Sequence, residues 1–258
     1  MEDCIPQRIP LTPNHGLRKW REGDTPANQN LYQQLIGCLI YLVTGTRPDI
    51  AYTTMFLSQF ASQPNSNHMG AAKRVLRYLK GTRNLALTYH RQLKPKSQLI
   101  GYADSDLGND KDDRKSISGY IFILNRNTIS WRSKKRARKV ATSTNEAELQ
   151  ALSYASKHMI WLQEGLLELK VTQQPIMYGD NQGTLTLIRS QKINDLTKHV
   201  ALTYHHVRNL VLEQECFDLS YVPSNENLAD ICTKSIARPQ FDLLRRSIFQ
   251  HEGYSTLS

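Results

Sequence analysis

The sequence predicts an α/β fold in which a five-stranded mixed sheet carries helices on its faces and a small helical segment precedes the sheet. Two observations lead to this prediction. Strand-like stretches at 98–103, 118–124 and 128–132 follow one another closely, which indicates an antiparallel meander. Strand-like stretches at 175–179 and 217–222 are separated by helical sequence, which indicates βαβ connections and parallel pairing.

The elements follow in order along the chain. Residues 1–30 are rich in Pro, Asn, Arg and Gly and predict an extended, weakly ordered lead-in. Residues 31–95 form the helical segment, because Leu35, Leu39 and Leu42 recur at helical spacing and Gly45 ends the run. Two more helical stretches cover 49–61 and 67–80, and Leu85–His90 looks like a strand.

The sheet domain is predicted to span residues 96–236, and 237–258 to form a C-terminal helix and tail. Asn125-Arg-Asn127 signals a turn between two of its strands. Apolar residues at helical spacing predict the remaining helices, at 145–170, 181–190, 198–214, 227–234 and 238–249.

Charge is the most informative part of the composition. Of 258 residues, 40% are apolar and 22% are charged, which is ordinary for a globular protein. Lys and Arg outnumber Asp and Glu by 33 to 23, a net charge of +10. Such a surplus favours a polyanionic partner, most simply a nucleic acid, although an anionic membrane surface would also attract it.

Membrane and secretory signals are absent from the sequence. The longest apolar run, 35–43, is shorter than the roughly 20 residues that span a bilayer. Residues 1–10 contain no apolar signal-peptide core. We therefore expect an intracellular protein, in the cytoplasm or the nucleus or both, with no membrane partner and no small-molecule cofactor.

Four acidic residues occupy positions that a mixed sheet would bring together. Asp104 and Asp180 end two strands, Glu148 lies in the first turns of the long helix, and Asp230 lies in the short helix after the last strand. Carboxylates this close resist ionisation unless a cation lies among them, and oxygen ligands select Mg²⁺ or Mn²⁺. Two such ions about 4 Å apart can activate water for phosphodiester cleavage.

Each of these acidic residues also has a simpler structural interpretation. A lone Asp before a helix usually caps that helix, which applies to Asp180. Asp106 and Glu146 stand near Asp104 and Glu148, and spacing does not decide which member of each pair points inward.

Several short motifs carry a resemblance to a known family. They are Tyr102-Ala-Asp-Ser-Asp106, Glu146-Ala-Glu148, Gly179-Asp-Asn-Gln182 and Leu228-Ala-Asp-Ile231. Residues 102–234 resemble the ribonuclease H domain of copia-type retrotransposon Pol polyproteins. Upstream, Leu31-Tyr-Gln-Gln-Leu-Ile-Gly37 and Thr46-Arg-Pro-Asp-Ile-Ala51 are similar to the family's stretch between polymerase and ribonuclease H, which makes 31–95 a thumb- or connection-like segment.

The resemblance implies a function and a site. The family hydrolyses the RNA strand of RNA–DNA hybrids with two divalent ions, so Asp104, Glu148, Asp180 and Asp230 would be its catalytic residues and metal ligands. Choosing Asp104 over Asp106 and Glu148 over Glu146 rests on the resemblance. The upstream polymerase domain of a full-length Pol is an expected partner.

Two further expectations limit the function. The chain has no Tyr-x-Asp-Asp polymerase motif, so we expect no DNA synthesis. The alternative to an enzyme is a non-catalytic nucleic-acid-binding remnant with the same fold.

Basic residues form two candidate nucleic-acid contacts, each of which could instead be a solvated surface. One is a run before the long helix, and the other is a helix face. The run before the long helix could also be a nuclear-import signal. At the edge of the acidic site we place Asp106, Asn181 and His199, and we expect Trp131 and Trp161 to be core residues. The basic residues are Lys134, Lys135, Arg136, Arg138 and Lys139 in the run and Arg74, Arg77 and Lys80 on the helix.

Overall fold

A five-stranded mixed sheet forms the centre of the protein, as predicted. The structure, a computed structural model, describes residues 3–90, 97–107, 112–136, 141, 143–171, 173–190 and 198–249. The strand order is β3-β2-β1-β4-β5; β2 runs antiparallel to β1 and β3, and β4 runs parallel to β1 and β5. The strands are β1 (Leu99–Asp106), β2 (Ile117–Leu124), β3 (Asn127–Lys135), β4 (Ile176–Gly179) and β5 (Asp218–Tyr221).

The helices are mostly where apolar periodicity predicts them. The side chains of Asn28, Asn65, Ser143 and Asn181 cap the first, third, fourth and fifth α-helices by accepting hydrogen bonds from backbone N–H groups. The helices are α1 (Gln29–Gly45), α2 (Ala51–Ser58), α3 (Ser66–Gly81), α4 (Thr144–Glu168), α5 (Gln182–Arg189), α6 (Lys198–Arg208) and α7 (Arg238–Phe249).

Both faces of the sheet are covered, because side chains alternate along β2 between two cores. Ile117, Ile121 and Ile123 pack into a core with buried residues of α1, α2, α3 and α7. Tyr120 and Phe122 point the other way, into a core with residues of α4, α5 and α6. The helical layer before the sheet therefore shares a core with the sheet.

Some local predictions are wrong. Leu85–His90 is not a strand; Tyr89 and His90 instead hydrogen-bond to the start of β3, the Tyr89 hydroxyl to the Thr128 carbonyl and the His90 N–H to the Asn127 side chain. The helix predicted for 49–61 is a 3-10 turn at Pro48–Ile50 followed by α2.

Other predicted helices also differ in type or length. The helix predicted for 198–214 becomes a π-helix over Asn209–Glu213, and the short helix predicted for 227–234 is a 3-10 turn over Leu228–Cys232. The turn predicted at residues 125–127 is confirmed, with positive φ angles of 52° at Asn125 and 67° at Arg126.

The N-terminal segment is extended but not weakly ordered. Ile9, Leu11 and Leu17 are buried in the core of the helical layer. The backbone N–H of Gln7 donates to the Arg77 carbonyl, and an isolated bridge pairs residues 26 and 65. Burial of these apolar side chains orders a segment that has no helix of its own.

Gly119 allows the 3-10 turn at Leu228–Cys232 to lie directly on the sheet. Gly119 pairs with Asp104 across β1 and β2. A Cβ atom at position 119 would lie 2.7 Å from Cys232 Cβ and 2.7 Å from Thr233 Cγ2. No flexible side-chain end is available to move aside, because these contacts are made by atoms close to the backbone.

We expect Gly119→Ala to lower the free energy of unfolding by about 1–3 kcal/mol, because overpacking forces the 3-10 turn away from the sheet. Urea denaturation measures this change. Gly165→Ala is the matched control, since an added methyl at this α4 position meets no atom within 4 Å. It should stabilise the protein by roughly 0.5–1 kcal/mol. Equal behaviour of the two variants would contradict close packing at Gly119.

Candidate active site

Three carboxylates from three elements converge at one edge of the sheet. Asp104, Glu148 and Asp180 each offer an oxygen atom, and these atoms all lie within 4.8 Å of one another. The parallel register explains the pairing of the two aspartates. Tyr102 of β1 pairs with Tyr178 of β4, and each aspartate follows two residues later. Glu148 comes from the second turn of α4.

Asp180 is available to this cluster because its neighbour caps the helix. The Asn181 side chain accepts a hydrogen bond of 2.8 Å from the Thr184 N–H and so forms the N-cap of α5. The capping alternative for Asp180 is therefore wrong, and Asn181, which was placed at the edge of the site, has a structural role at that edge.

The near-duplicate acids lie outside the group of three. Glu146 accepts a hydrogen bond of 2.9 Å from Gln150, on the same helix. Asp106 is the last residue of β1, where it pairs with Ile117. The structure thus brings together Asp104 and Glu148, the members that the family resemblance selects.

Asp230 lies beside the group of three but is paired with a lysine. It is buried in the 3-10 turn at Leu228–Cys232, and Lys234 Nζ lies 2.8 Å from its Oδ1. Gln240 donates to Oδ2 at 3.1 Å.

Sequence reasoning missed two residues at this site. Lys234 Nζ is 3.6 Å from Asp104 Oδ2, and the Thr233 hydroxyl donates a hydrogen bond to the same oxygen. The sequence did contain a signal for them. Both residues follow shortly after the Leu228-Ala-Asp-Ile231 motif, and Lys234 lies four residues after Asp230.

Burial and mutual repulsion dominate the electrostatics of the cluster. Burial raises the pKa of Asp104, opposed by the Lys234 charge and the Thr233 hydrogen bond. Burial, with the negative charges of Asp104 and Asp180, raises the pKa of Glu148 well above its usual value, although the Ser105 N–H donates to it. Burial and the Asp104 charge raise the pKa of Asp230 to about 7. One ammonium therefore compensates several carboxylates only in part, which suits a hard divalent cation.

These raised pKa values predict how stability depends on pH without divalent metal. Above the unfolded carboxyl pKa of about 4, the folded chain retains protons that the unfolded chain has lost. The resulting stabilisation is fully present below that pH and is lost as the pH rises through about 7 for Asp230. We therefore expect the carboxylate cluster to make the protein in EDTA less stable at about pH 8 than at about pH 5. Burial lowers the pKa values of His68, His158 and His206, which contribute in the opposite direction, so the contribution of the cluster is measured by urea denaturation of the wild type beside a variant that lacks one of its carboxylates.

Asp230→Asn serves as the control for this pH dependence, because it removes one of the titrating groups. The variant should show a shallower slope than the wild type across the same interval. An equal slope in Asp230→Asn and the wild type would contradict the arrangement of partly uncompensated carboxylates.

The basic run before α4 is only partly exposed. Lys134 is exposed on β3, with Nζ 5.0 Å from the centre of the Tyr154 ring. Lys135 is held by Asp113 at 3.0 Å and by Gln59 at 2.7 Å. Arg136 is half-buried, and Arg138 and Lys139 lie outside the described residues. Contact of this run with nucleic acid stays a prediction.

The basic face of α3 turns partly toward the N-terminal segment. Arg77 Nε donates to the Ile5 carbonyl at 2.8 Å, and Lys80 Nζ donates to the Cys4 carbonyl at 3.0 Å. Arg74 is half-buried, and burial lowers its pKa. These contacts give the face a structural role, and its role in binding nucleic acid stays a prediction.

The remaining predicted residues have different outcomes. The side chain of His199 lies outside the described residues. Trp131 is half-buried and donates to the Val43 carbonyl at 2.7 Å, as suits a residue between β3 and α1. The prediction that Trp161 is a core residue is wrong, because 64% of it is exposed. It follows buried Met159 by two residues and so faces the other side of α4.

The strand order, the pairing of β1 with β4 and the acids on β1, on α4 and after β4 define a ribonuclease H-like domain. The chain is 37% identical over 223 residues to the retrovirus-related Pol polyprotein from transposon TNT 1-94 of Nicotiana tabacum, which covers 86% of this chain and 16% of that protein. It is 37% identical over 240 residues to the Pol polyprotein from transposon RE1 of Arabidopsis thaliana, 92% of this chain and 16% of that protein. Over most of its length the chain is homologous to retrovirus-related Pol polyproteins from copia-type transposons, and it spans about a sixth of the length of these relatives.

Other comparisons give shorter or weaker similarity. Secreted RxLR effector protein 161 of Plasmopara viticola is 47% identical over 131 residues, 51% of this chain and 90% of that protein. No protein-family model matches the chain. In the described part of the chain, no helix is long and apolar enough to cross a membrane.

Solved structures with similar chains include ribonucleases H. RNase H1 from Halobacterium salinarum NRC-1 has a TM-score of 0.39 and 17% identity over 53% of this chain and 94% of that chain. LC11-RNase H1 has a TM-score of 0.43 and 14% identity over 53% of this chain and 92% of that chain. These scores are low, and the fold is assigned from strand order and pairing.

Proposed function

We propose that this domain hydrolyses the RNA strand of RNA–DNA hybrids in a reaction that depends on Mg²⁺ or Mn²⁺. The observation that carries the proposal is the convergence of Asp104, Glu148 and Asp180 within 4.8 Å, at the edge of a ribonuclease H-like sheet. The net charge of +10 and the similarity to retrovirus-related Pol polyproteins support a nucleic-acid substrate.

The acidic cluster has the chemistry that a divalent cation needs. Asp104, Glu148 and Asp180 offer oxygen atoms close enough to share one ion. Asp230 is the remaining candidate ligand for a second ion, provided that it releases Lys234. Bound ions would supply Lewis-acid activation of water and stabilisation of the leaving oxygen.

The chain's own residues prepare this site. The Thr233 hydroxyl and the Ser105 N–H orient Asp104 and Glu148 by donating hydrogen bonds to them. Burial of both carboxylates keeps bulk water away and strengthens every charge interaction there. Asn227 supports the 3-10 turn by donating a hydrogen bond of 3.0 Å to the Ala103 carbonyl, next to Asp104.

The experiment is cleavage of a hybrid whose RNA strand is labelled, with Mg²⁺ or Mn²⁺, by the wild type and by Asp180→Asn. We expect the wild type to cut the RNA strand and the variant to leave it intact. EDTA should prevent cutting by the wild type. A wild type that binds the hybrid at low salt without cutting it would contradict the proposal. That outcome would favour the non-catalytic nucleic-acid-binding alternative.

We also propose that the upstream polymerase domain of a longer polyprotein contacts the helical layer. Large apolar side chains of α1 are exposed, namely Leu31, Ile40 and Tyr41. Ile40 and Tyr41 are adjacent and would form part of that contact surface, whereas Leu31, nine residues before Ile40, lies on the opposite side of α1.

A further inference from the structure

Three aromatic side chains lie along one face of α4, and we call them the aromatic ladder. Tyr154, His158 and Trp161 recur at spacings of four and three residues, which places them on one face of the helix. The ladder is not part of the acidic cluster, and 64% of Trp161 is exposed at its outer end.

Ring contacts fix the ladder in place. The His158 and Trp161 rings are stacked, with centroids 5.3 Å apart and an interplanar angle of 23°. On its other side His158 stacks on Tyr120 of β2 at 5.0 Å, and its Nε2 lies 2.8 Å from the Ser130 hydroxyl. Burial and the charge of Arg132 lower the pKa of His158, so it stacks as a neutral ring at neutral pH. Trp161 is therefore held on a rigid support although it faces solvent.

Two cations of β3 line the inner end of the ladder. Arg132 and Lys134 are exposed and lie 5.9 Å and 5.0 Å from the centre of the Tyr154 ring, as measured from the guanidinium carbon and the ammonium nitrogen. Alternate residues of a strand share a face, so these two charges project on the side where the ladder lies. One exposed ring at the outer end of the ladder and two exposed positive charges at its inner end suit a ligand that has both flat aromatic groups and negative charge.

The ladder starts near the acidic cluster and leads away from it. At a rise of about 1.5 Å per residue, Tyr154 and Trp161 lie about 9 Å and about 20 Å along α4 from Glu148. A nucleic-acid strand that leaves the cluster in this direction would pass Lys134 and Arg132 before it reaches Trp161.

We propose that the aromatic ladder, with Arg132 and Lys134, is a binding platform for an unpaired nucleic-acid strand, whose bases stack on Trp161 and whose phosphates contact the two cations. The proposal rests on the proposed function in one respect, namely that this strand is a single-stranded extension of the hybrid substrate.

The chemistry favours an unpaired strand over a duplex or a protein. In a duplex the base faces are already stacked on each other, so an exposed indole gains little from it. An unpaired strand offers both free base faces and one phosphate per nucleotide, and stacking of a base on an aromatic side chain tolerates any sequence. An acidic protein segment would satisfy the cations but would leave the indole without a stacking partner.

The test measures binding of single-stranded oligothymidylate of about 12 nucleotides to the full chain, in EDTA so that no cleavage occurs. Fluorescence anisotropy should show Trp161→Ala binding about tenfold more weakly than wild type. Trp161→Phe should recover most of the lost affinity, because phenylalanine keeps a ring on which a base can stack. Tyr41→Ala, at an exposed aromatic residue on α1, is the matched control and should bind like wild type.

Two results would overturn the platform. One is wild-type affinity in Trp161→Ala, which would mean that the indole contacts no base. The other is an equal loss in Tyr41→Ala, which would mean nonspecific binding to exposed rings.

A second measurement separates the platform from the proposed function. Wild type should bind a hybrid with a single-stranded extension more tightly than a blunt hybrid, and Trp161→Ala should lose that preference. Binding of oligothymidylate through Trp161 without cleavage of any hybrid would contradict the enzyme and leave the platform standing. Cleavage of hybrids by a protein whose strand binding is unaffected by Trp161→Ala would contradict the platform and leave the proposed enzyme standing.

Discussion

Glu148→Gln is expected to reduce metal-dependent cleavage of an RNA–DNA hybrid by about a thousandfold, because metal ions in such sites supply several kcal/mol of transition-state stabilisation. Glu146→Gln, two residues away, should retain nearly full activity, because the Glu146 side chain pairs with Gln150 along the helix. Initial rates of RNA-strand cleavage measure both variants.

Thermal denaturation shows whether Glu148→Gln loses its metal rather than its fold. Without metal the variant should be at least as stable as wild type, since it no longer buries a carboxylate whose pKa is raised by burial and by its acidic neighbours. Added Mg²⁺ should stabilise wild type and Glu146→Gln but not Glu148→Gln, because only binding to the folded state raises stability. Equal rates in the two Gln variants would contradict the acidic cluster as the active site.

Asp49→Ala is expected to destabilise the protein by about 3–5 kcal/mol, because it leaves a buried guanidinium without its counter-ion. Arg47 donates two hydrogen bonds to Asp49, at 2.9 Å and 2.7 Å, and both residues are buried. The Tyr78 hydroxyl also donates to Asp49, and Arg245 of α7 donates to that hydroxyl at 3.3 Å. This network joins α3 and α7 to the turn before α2, so its loss loosens the whole helical layer.

Thermal or urea denaturation measures the effect, which corresponds to a fall of roughly 10 °C in melting temperature. Tyr78→Phe removes two hydrogen bonds, the one donated to Asp49 and the one accepted from Arg245, and should cost about 2 kcal/mol, less than Asp49→Ala. Glu213→Ala is the surface control, since the Glu213 side chain is exposed and its carboxylate accepts an exposed hydrogen bond from Asn209. A cost below about 1 kcal/mol for Asp49→Ala would mean that water solvates Arg47 once the carboxylate is gone.

The sequence was sufficient to predict the sheet and the convergence of the strand-end acids. Alternating apolar residues predict the strands, and apolar residues at helical spacing predict the helices, which gives the order of the elements. Neighbouring parallel strands end at the same edge of the sheet, which places Asp104 beside Asp180. The choice of Glu148 over Glu146 needed the family resemblance, because both lie in the first turns of α4 and their direction depends on packing against the sheet.

Other features depend on tertiary contacts that local patterns do not encode. Lys234 and Thr233 reach Asp104 only because Gly119 lets their turn approach the sheet. Leu85–His90 has strand-like composition but makes side-chain hydrogen bonds instead of a ladder. The Trp161 side chain is large and mostly apolar, which favours burial, yet it is exposed because it lies on a side of α4 that faces solvent.

The core shared by the helical layer and the sheet has a practical consequence for anyone who prepares this domain in the laboratory. A fragment cut just before β1 would keep the four acidic residues of the candidate active site and lose α1, α2 and α3 together with the N-terminal segment. Ile117, Ile121 and Ile123 would then meet water along one side of the sheet. Such a fragment would be prone to aggregate, so an inactive preparation of it would say nothing about the catalytic competence of Asp104 and its neighbours.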